Sequence, residues 1–286
     1  MMERHVFQHD GLALSWLDSG GDGRVLVALH AHWMEGRTFA RLARDVAPRW
    51  RVIAPDLRGH GYSDHASSYT RNDYLGDLEM LLDHLDVPSA VLLGNSLGGV
   101  NAYQFAARHP DRVGGLIIED IGAEVTETTD FVLAWNGAFR TREELAARIG
   151  PRLAPYLADS FRSTPAGWRL AFNPRDMVQS QRHLNGNHWR DWLATDCPTL
   201  LIRGRDSRLT SQAHMERMAA RRPNTRLRVL DGGHVVHIDN PEGFADAVQA
   251  FLWELPTRAG RPSRSLGYFG PPELARSQRN IRLALP

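Results

Sequence analysis

The 286-residue sequence contains no lysine; all 34 of its basic residues are arginine. That absence excludes Schiff-base chemistry, lysine-bound pyridoxal phosphate and a Walker-type phosphate loop, each of which needs an amine. Cysteine is nearly absent as well. Cys197 stands alone, so no intrachain disulfide can form and a reducing compartment is permitted. No apolar stretch approaches the roughly 18 residues that would cross a bilayer. Met1-Met2-Glu3-Arg4-His5 lacks the apolar core of a signal peptide, so a cytoplasmic location without a membrane partner is expected. Net charge is scarce: 34 basic against 33 acidic residues leave +1, which gives no ground for a nucleic-acid partner. The balance is uneven, because residues 256–286 carry six arginines and one glutamate, net +5, so the preceding 255 residues sum to −4.

What is present suits a globular protein with a sizeable core: 42% hydrophobic and 23% charged residues. Residues 6–9 and 12–18 read as a hairpin around Asp10-Gly11. Short apolar runs at 25–30, 52–55, 90–93 and 113–121 read as buried strands, and residues 37–46 and 69–85 between them have helical spacing. Strands alternating with helices predict an α/β fold with a mostly parallel central sheet and helices on both faces. The rhythm breaks after Ile121. Residues 123–196 show no clear strand and many aromatics, among them Phe131, Trp135, Phe139 and Tyr156, and read as a helical cap. Strand rhythm returns at 198–203 and 227–230, and a helix at 241–253 closes the pattern. The expected organisation is therefore a core of 1–122 and 197–255, a cap of 123–196 and an Arg/Pro/Gly-rich tail of 256–286.

The strongest local signal is Val91-Leu92-Leu93-Gly94-Asn95-Ser96-Leu97-Gly98-Gly99-Val100. An apolar strand runs into Gly-x-Ser-x-Gly and then into a helical run, the context of a nucleophile elbow. Gly94 and Gly98 are expected where a Cβ would strike the neighbouring strand or helix, with Ser96 at strained backbone angles above the sheet edge. The following helix would turn N–H groups towards negative charge forming near Ser96.

Over roughly residues 5–255 the chain resembles the α/β-hydrolase superfamily. Besides the elbow, three motifs carry the resemblance: Leu29-His30-Ala31-His32-Trp33, residues 52–63 with Pro55-Asp56-Leu57-Arg58-Gly59-His60-Gly61, and Gly232-Gly233-His234-Val235-Val236-His237. The resemblance implies a hydrolase without cofactor or metal that cleaves a carboxylic ester, thioester or lactone, with Ser96 as nucleophile. The same triad could also serve acyl transfer, perhydrolysis or a lyase reaction, and a ligand receptor on this scaffold is a further alternative. The aromatic cap implies a small-molecule acyl substrate with an apolar portion. Oligomeric state is not legible.

The resemblance places His234 as the general base, with His237 its rival or, failing that, a pocket-wall or core histidine; Trp33, His237, Trp135 and Phe139 are expected to line the substrate pocket. The family usually carries the triad acid in Gly-x-x-Asp after the seventh core strand. Here that stretch is Gly204-Arg205-Asp206-Ser207, with the aspartate one position early. Some members place the acid after the sixth strand instead, where this chain has Glu119-Asp120-Ile121, 24 residues beyond Ser96. Asp120 is the favoured acid and Asp206 the alternative. Glu119 should point the opposite way from Asp120 if the strand continues this far. The oxyanion hole is expected from the backbone N–H of Leu97 and of His32 or its neighbour Trp33, with Ala31 replacing the usual glycine.

Overall fold

A computed structural model describes residues 2–256; the expected tail, apart from Pro256, lies outside the described residues. Strands β1 (Glu3–His9) and β2 (Leu12–Asp18) form a hairpin. Its turn residues Asp10 and Gly11 both have left-handed φ, +48° and +77°, as an Asp-Gly primed turn requires. Six more strands follow: β3 (Arg24–Leu29), β4 (Trp50–Pro55), β5 (Ala90–Asn95), β6 (Val113–Glu119), β7 (Thr199–Gly204) and β8 (Thr225–Leu230). They lie in the order β1-β2-β4-β3-β5-β6-β7-β8. The β1–β2 and β2–β4 pairs are antiparallel and all later neighbours are parallel.

The apolar runs seen in the sequence follow from burial on both faces. Every residue of β5 and β7 is buried. Along β3, Val27 and Leu29 enter one core while Leu26 and Ala28 enter the other, the period of two that a strand imposes. The first core packs the sheet against helices α1 (Arg71–His84) and α2 (Leu97–Arg108), through Leu75, Leu78, Leu82, Val100 and Phe105. The second packs it against the helical turn Ala40–Asp45 and the C-terminal helix Pro241–Glu254, through Leu42, Phe244, Val248 and Phe251. Helix α1 starts at a capping box. Thr70 Oγ1 accepts from the Asp73 N–H at 3.3 Å, and Asp73 Oδ2 accepts from the Thr70 N–H at 2.7 Å.

One expectation about residues 123–196 needs correction. The segment holds helices α3 (Arg142–Ile149) and α4 (Pro174–Leu184), but it is not wholly helical. Phe161–Thr164 and Gly167–Leu170 form an antiparallel hairpin, and Glu124–Val125 pairs with Gly186–Asn187. Strands of two to four residues are too short to leave a periodic signature, and the hairpin depends on Gly167 at φ +116°, a conformation open to glycine. The segment belongs to the same compact unit as the sheet. Val132, Leu145, Met177 and Trp192 share the first core with the sheet. Among the described residues no helix is long and apolar enough to cross a membrane.

Candidate active site

Ser96 sits between the last residue of β5 and the first of α2, at φ +53° and ψ −114°. The glycines around it have the steric cause expected of an elbow. A Cβ on Gly94 would lie 2.1 Å from Gly98 O, and one on Gly98 would lie 2.1 Å from Leu29 O. The Ser96 N–H donates to Glu119 O at 3.1 Å, which ties the elbow to the end of β6.

At that end the chain turns sharply, with Asp120 at φ +49°, a left-handed conformation that aspartate tolerates better than most residues. The turn sends consecutive carboxylates to opposite sides. Asp120 Oδ2 lies 2.7 Å from His234 Nδ1, while Glu119 receives the backbone N–H of His237 at 2.9 Å and meets its Nδ1 at 2.8 Å. Asp120 is fully buried, and its charge is met by hydroxyls that the sequence reading missed. Ser207 Oγ donates to Oδ2 at 2.5 Å and Thr210 Oγ1 donates to Oδ1 at 2.7 Å. The signal was present: Ser207 occupies the position where the resemblance leads one to expect an acid. Asp206 is not brought to His234. It is exposed on the cavity wall, and its backbone N–H bonds Gly232 O at 2.9 Å.

His234 is further held by Asn95 Nδ2, which donates to its backbone carbonyl at 3.1 Å. Among the described residues its Nε2 has no protein partner, so that nitrogen is free for a reacting group. On the opposite wall lies the loop after β3. His30 Nδ1 donates to Ala31 O at 2.7 Å and its Nε2 accepts from the Leu57 N–H at 2.9 Å, which fixes the neutral tautomer. The His32 imidazole turns towards α4, with Nε2 2.8 Å from Ser180 Oγ. Trp33 adopts φ +71° and its carbonyl accepts from Ser160 Oγ at 2.8 Å.

Ser96, His234, His32 and Trp33 line one cavity of about 890 Å³. Its remaining wall is largely apolar, with Met34, Ile121, Phe131, Leu153 and Leu209 among the contributors. Three expected pocket residues are not in that wall. His237 is buried behind it, paired to Glu119, bonded through Nε2 to Thr38 Oγ1 at 2.7 Å and packed on Phe39 and Phe244. Trp135 stands one layer back, its ring edge-on to Trp33 at 5.4 Å. Phe139 exchanges two backbone hydrogen bonds with Trp168 and extends the cap hairpin.

Three imidazoles crowd under the loop after β3. The rings of His30 and His60 are 5.0 Å apart, and those of His32 and His60 6.0 Å. Burial pushes His30 down to about 4, and pushes His32 and His60 well below the ordinary 6.5, with a neighbouring imidazole as a further cause in each case. A histidine held neutral in the fold stabilises it fully above pH 6.5, and that contribution is lost as pH falls, because the unfolded chain then takes up protons that the fold refuses. Glu35 acts in the opposite sense. Burial lifts its carboxyl to about 7 despite Arg162, so its contribution is present below pH 4.5 and lost as pH rises. A shift of the size seen in His30 or Glu35 is worth about 3 kcal/mol, and three histidines outnumber one carboxylate. The urea midpoint should therefore drop between pH 7 and pH 5. A midpoint that rises over that interval would mean that Glu35 dominates.

The sequence profile of the α/β-hydrolase fold matches residues 24–241. The 2-(acetamidomethylene)succinate hydrolase of Mesorhizobium japonicum is 28% identical over 247 residues, which cover 81% of this chain and 89% of that protein. An sn-1-specific diacylglycerol lipase of Mus musculus is 28% identical over 262 residues, covering 84% and 85%. The crystal structure of E-2-(acetamidomethylene)succinate hydrolase superposes with a TM-score of 0.78 at 24% identity, over 88% of this chain and 99% of that one. The enol-lactonase from Burkholderia xenovorans LB400 superposes with a TM-score of 0.73 at 20% identity, over 87% and 100%. At these identities the two structures are evidence of a shared fold.

Proposed function

The chain belongs to the α/β-hydrolase fold family and is a hydrolase, and from that premise we propose that it cleaves a carboxylic ester, thioester or lactone through an acyl-enzyme on Ser96. The observation that carries this reading is the pairing of Asp120 with His234 Nδ1, on a histidine whose other nitrogen is free and which shares a cavity with Ser96. A serine hydroxyl is a weak nucleophile until a base removes its proton. In this reading His234 Nε2 takes the proton as Ser96 Oγ bonds to the carbonyl carbon. The buried Asp120 carboxylate fixes the tautomer that makes Nε2 the acceptor, and it stabilises the imidazolium that forms. The carbonyl oxygen becomes an oxyanion, which the backbone N–H groups of Leu97 and of His32 or Trp33 receive. The carbon–oxygen or carbon–sulfur bond to the leaving group then breaks, and His234 returns its proton to that group. Water, deprotonated by His234, attacks the acyl-enzyme, and the carboxylic acid and Ser96 are released.

The apolar cavity wall supports a substrate with an apolar acyl or alcohol portion. One relative is by its name a lipase acting on a diacylglycerol, an ester, which supports the same chemical class. The test is a panel of p-nitrophenyl esters of graded chain length, with lactones and thioesters beside it and a serine-directed phosphonate as label. Turnover of at least one series and a single adduct on Ser96 are expected. No turnover together with an unlabelled Ser96 would overturn the proposal and favour a binding protein on the same scaffold.

A further inference from the structure

We propose that Tyr156 of the cap is a positioning residue that holds the base loop and the oxyanion loop in register, and so acts on the chemical step rather than on substrate affinity. The inference rests on the Ser96–His234 reading above. Its first support is a small apolar cluster apart from the two main cores. Ala31, Met34 and Val235 form it, and the half-buried ring of Tyr156 packs against it. Ala31 and Met34 flank His32 and Trp33, and Val235 directly follows His234. The cluster therefore contains nothing but the two loops that carry the machinery, closed by one cap residue.

The second support is the hydroxyl of the same residue. Tyr156 donates to Asp239 Oδ1 at 2.6 Å, and Asp239 Oδ2 accepts from the Gly233 N–H at 2.7 Å. Burial and the Asp239 carboxylate push the phenol up to about 12, so it remains a donor throughout the neutral range. Gly233 immediately precedes His234. Gly232, at φ +125°, approaches Asp239 so closely that a Cβ there would lie 2.8 Å from the Asp239 Cβ. Two consecutive glycines leave this backbone free to wander, so its position must be imposed from outside. Asp239 imposes it, and Tyr156 fixes Asp239.

The same stretch of the cap reaches the other loop. Four residues on, Ser160 Oγ donates to Trp33 O at 2.8 Å, and two beyond that Arg162 pairs with the buried Glu35. Residues 156–162 thus form a strap with one end on the base and the other beside the oxyanion donors. Misplacement of a catalytic group by about 1 Å can cost about 100-fold, so a loosened strap would appear in the chemical rate.

The experiment compares Tyr156→Phe, Asp239→Asn and the double variant in the full chain. The substrate is the ester that the panel identifies, and the rate of phosphonate inactivation is measured in parallel. Tyr156→Phe keeps the ring and its cluster. It is expected to lower kcat and the inactivation rate together by about tenfold, with KM within twofold. The double variant should be no worse than Asp239→Asn alone, because both changes cut one chain of hydrogen bonds. Raised KM at unchanged kcat would make Tyr156 a plain wall of the pocket and overturn the proposal, as would losses that multiply in the double variant. Normal kcat in Tyr156→Phe removes this inference alone, whereas turnover surviving Ser96→Ala removes the reading beneath it.

Discussion

Ser96→Ala should lower turnover by a factor on the order of 10⁵ while the unfolding midpoint stays within error of wild type. The structure makes the two halves of that result separable. Ser96 is the N-cap of α2, but its side chain makes no capping hydrogen bond, so alanine forfeits no helix stability there. The left-handed φ of +53° strains alanine as it strains serine, since both carry a Cβ. Only the hydroxyl oxygen disappears. His234→Ala should match Ser96→Ala in severity, because a nucleophile and its base act as a unit. His237→Ala should instead lower stability, since it leaves the Glu119 carboxylate buried without its imidazole. Activity surviving in Ser96→Ala, or a stronger chemical defect in His237→Ala than in His234→Ala, would overturn the assignment. Both outcomes are read from initial rates beside urea melts.

Asp120→Asn should cost about 10⁴-fold in kcat, and Asp206→Asn should leave it near wild type. The asparagine fits the space. Its carbonyl can accept from His234 Nδ1 and Ser207, and its amide can face Thr210 Oγ1, whose hydroxyl turns to accept. What is lost is the charge that stabilises the imidazolium. Among the described residues only the backbone N–H is engaged at position 206, so loss of an exposed carboxylate leaves the turn intact. Equal rates in wild type and Asp120→Asn, or a large loss in Asp206→Asn, would move the acid from β6 to β7.

The elbow was legible because its two motif glycines each answer to a close backbone contact. Gly94 meets Gly98, and Gly98 meets the carbonyl of Leu29 on the neighbouring strand. The strands were legible for a similar reason, since burial on both faces writes itself into consecutive residues. Glu119 and Asp120 do point apart, but through the left-handed turn at Asp120 rather than through strand alternation, because the strand ends at Glu119. What stayed hidden depends on pairs far apart in the chain. Ser207 and Thr210 reach Asp120 across 87 and 90 residues, and Tyr156 reaches Asp239 across 83. Such pairs leave no local period. His237 was misjudged because three residues past His234 the chain has already entered the short helix Val236–Asp239, which turns its imidazole into the core against Phe39 and Phe244. Trp135 and Phe139 have the composition of a pocket wall, but one supports Trp33 from behind and the other is consumed by backbone pairing.

The contact between Ser207 and Asp120 also bears on how this site can change over evolutionary time. Ser207 stands where a Gly-x-x-Asp motif would put an acid, and its oxygen already touches the carboxylate that arrives from β6. The scaffold thus offers one negative charge two adjoining berths, beyond the ends of the adjacent parallel strands β6 and β7. Occupying both would set two carboxylates against each other beside a buried Asp120, and one of them would take up a proton. The berths are therefore filled one at a time. A lineage can relocate the charge from one strand to the next by two substitutions, with serine as the polite neighbour in whichever berth the acid has left, while the nucleophile and base stay where they are.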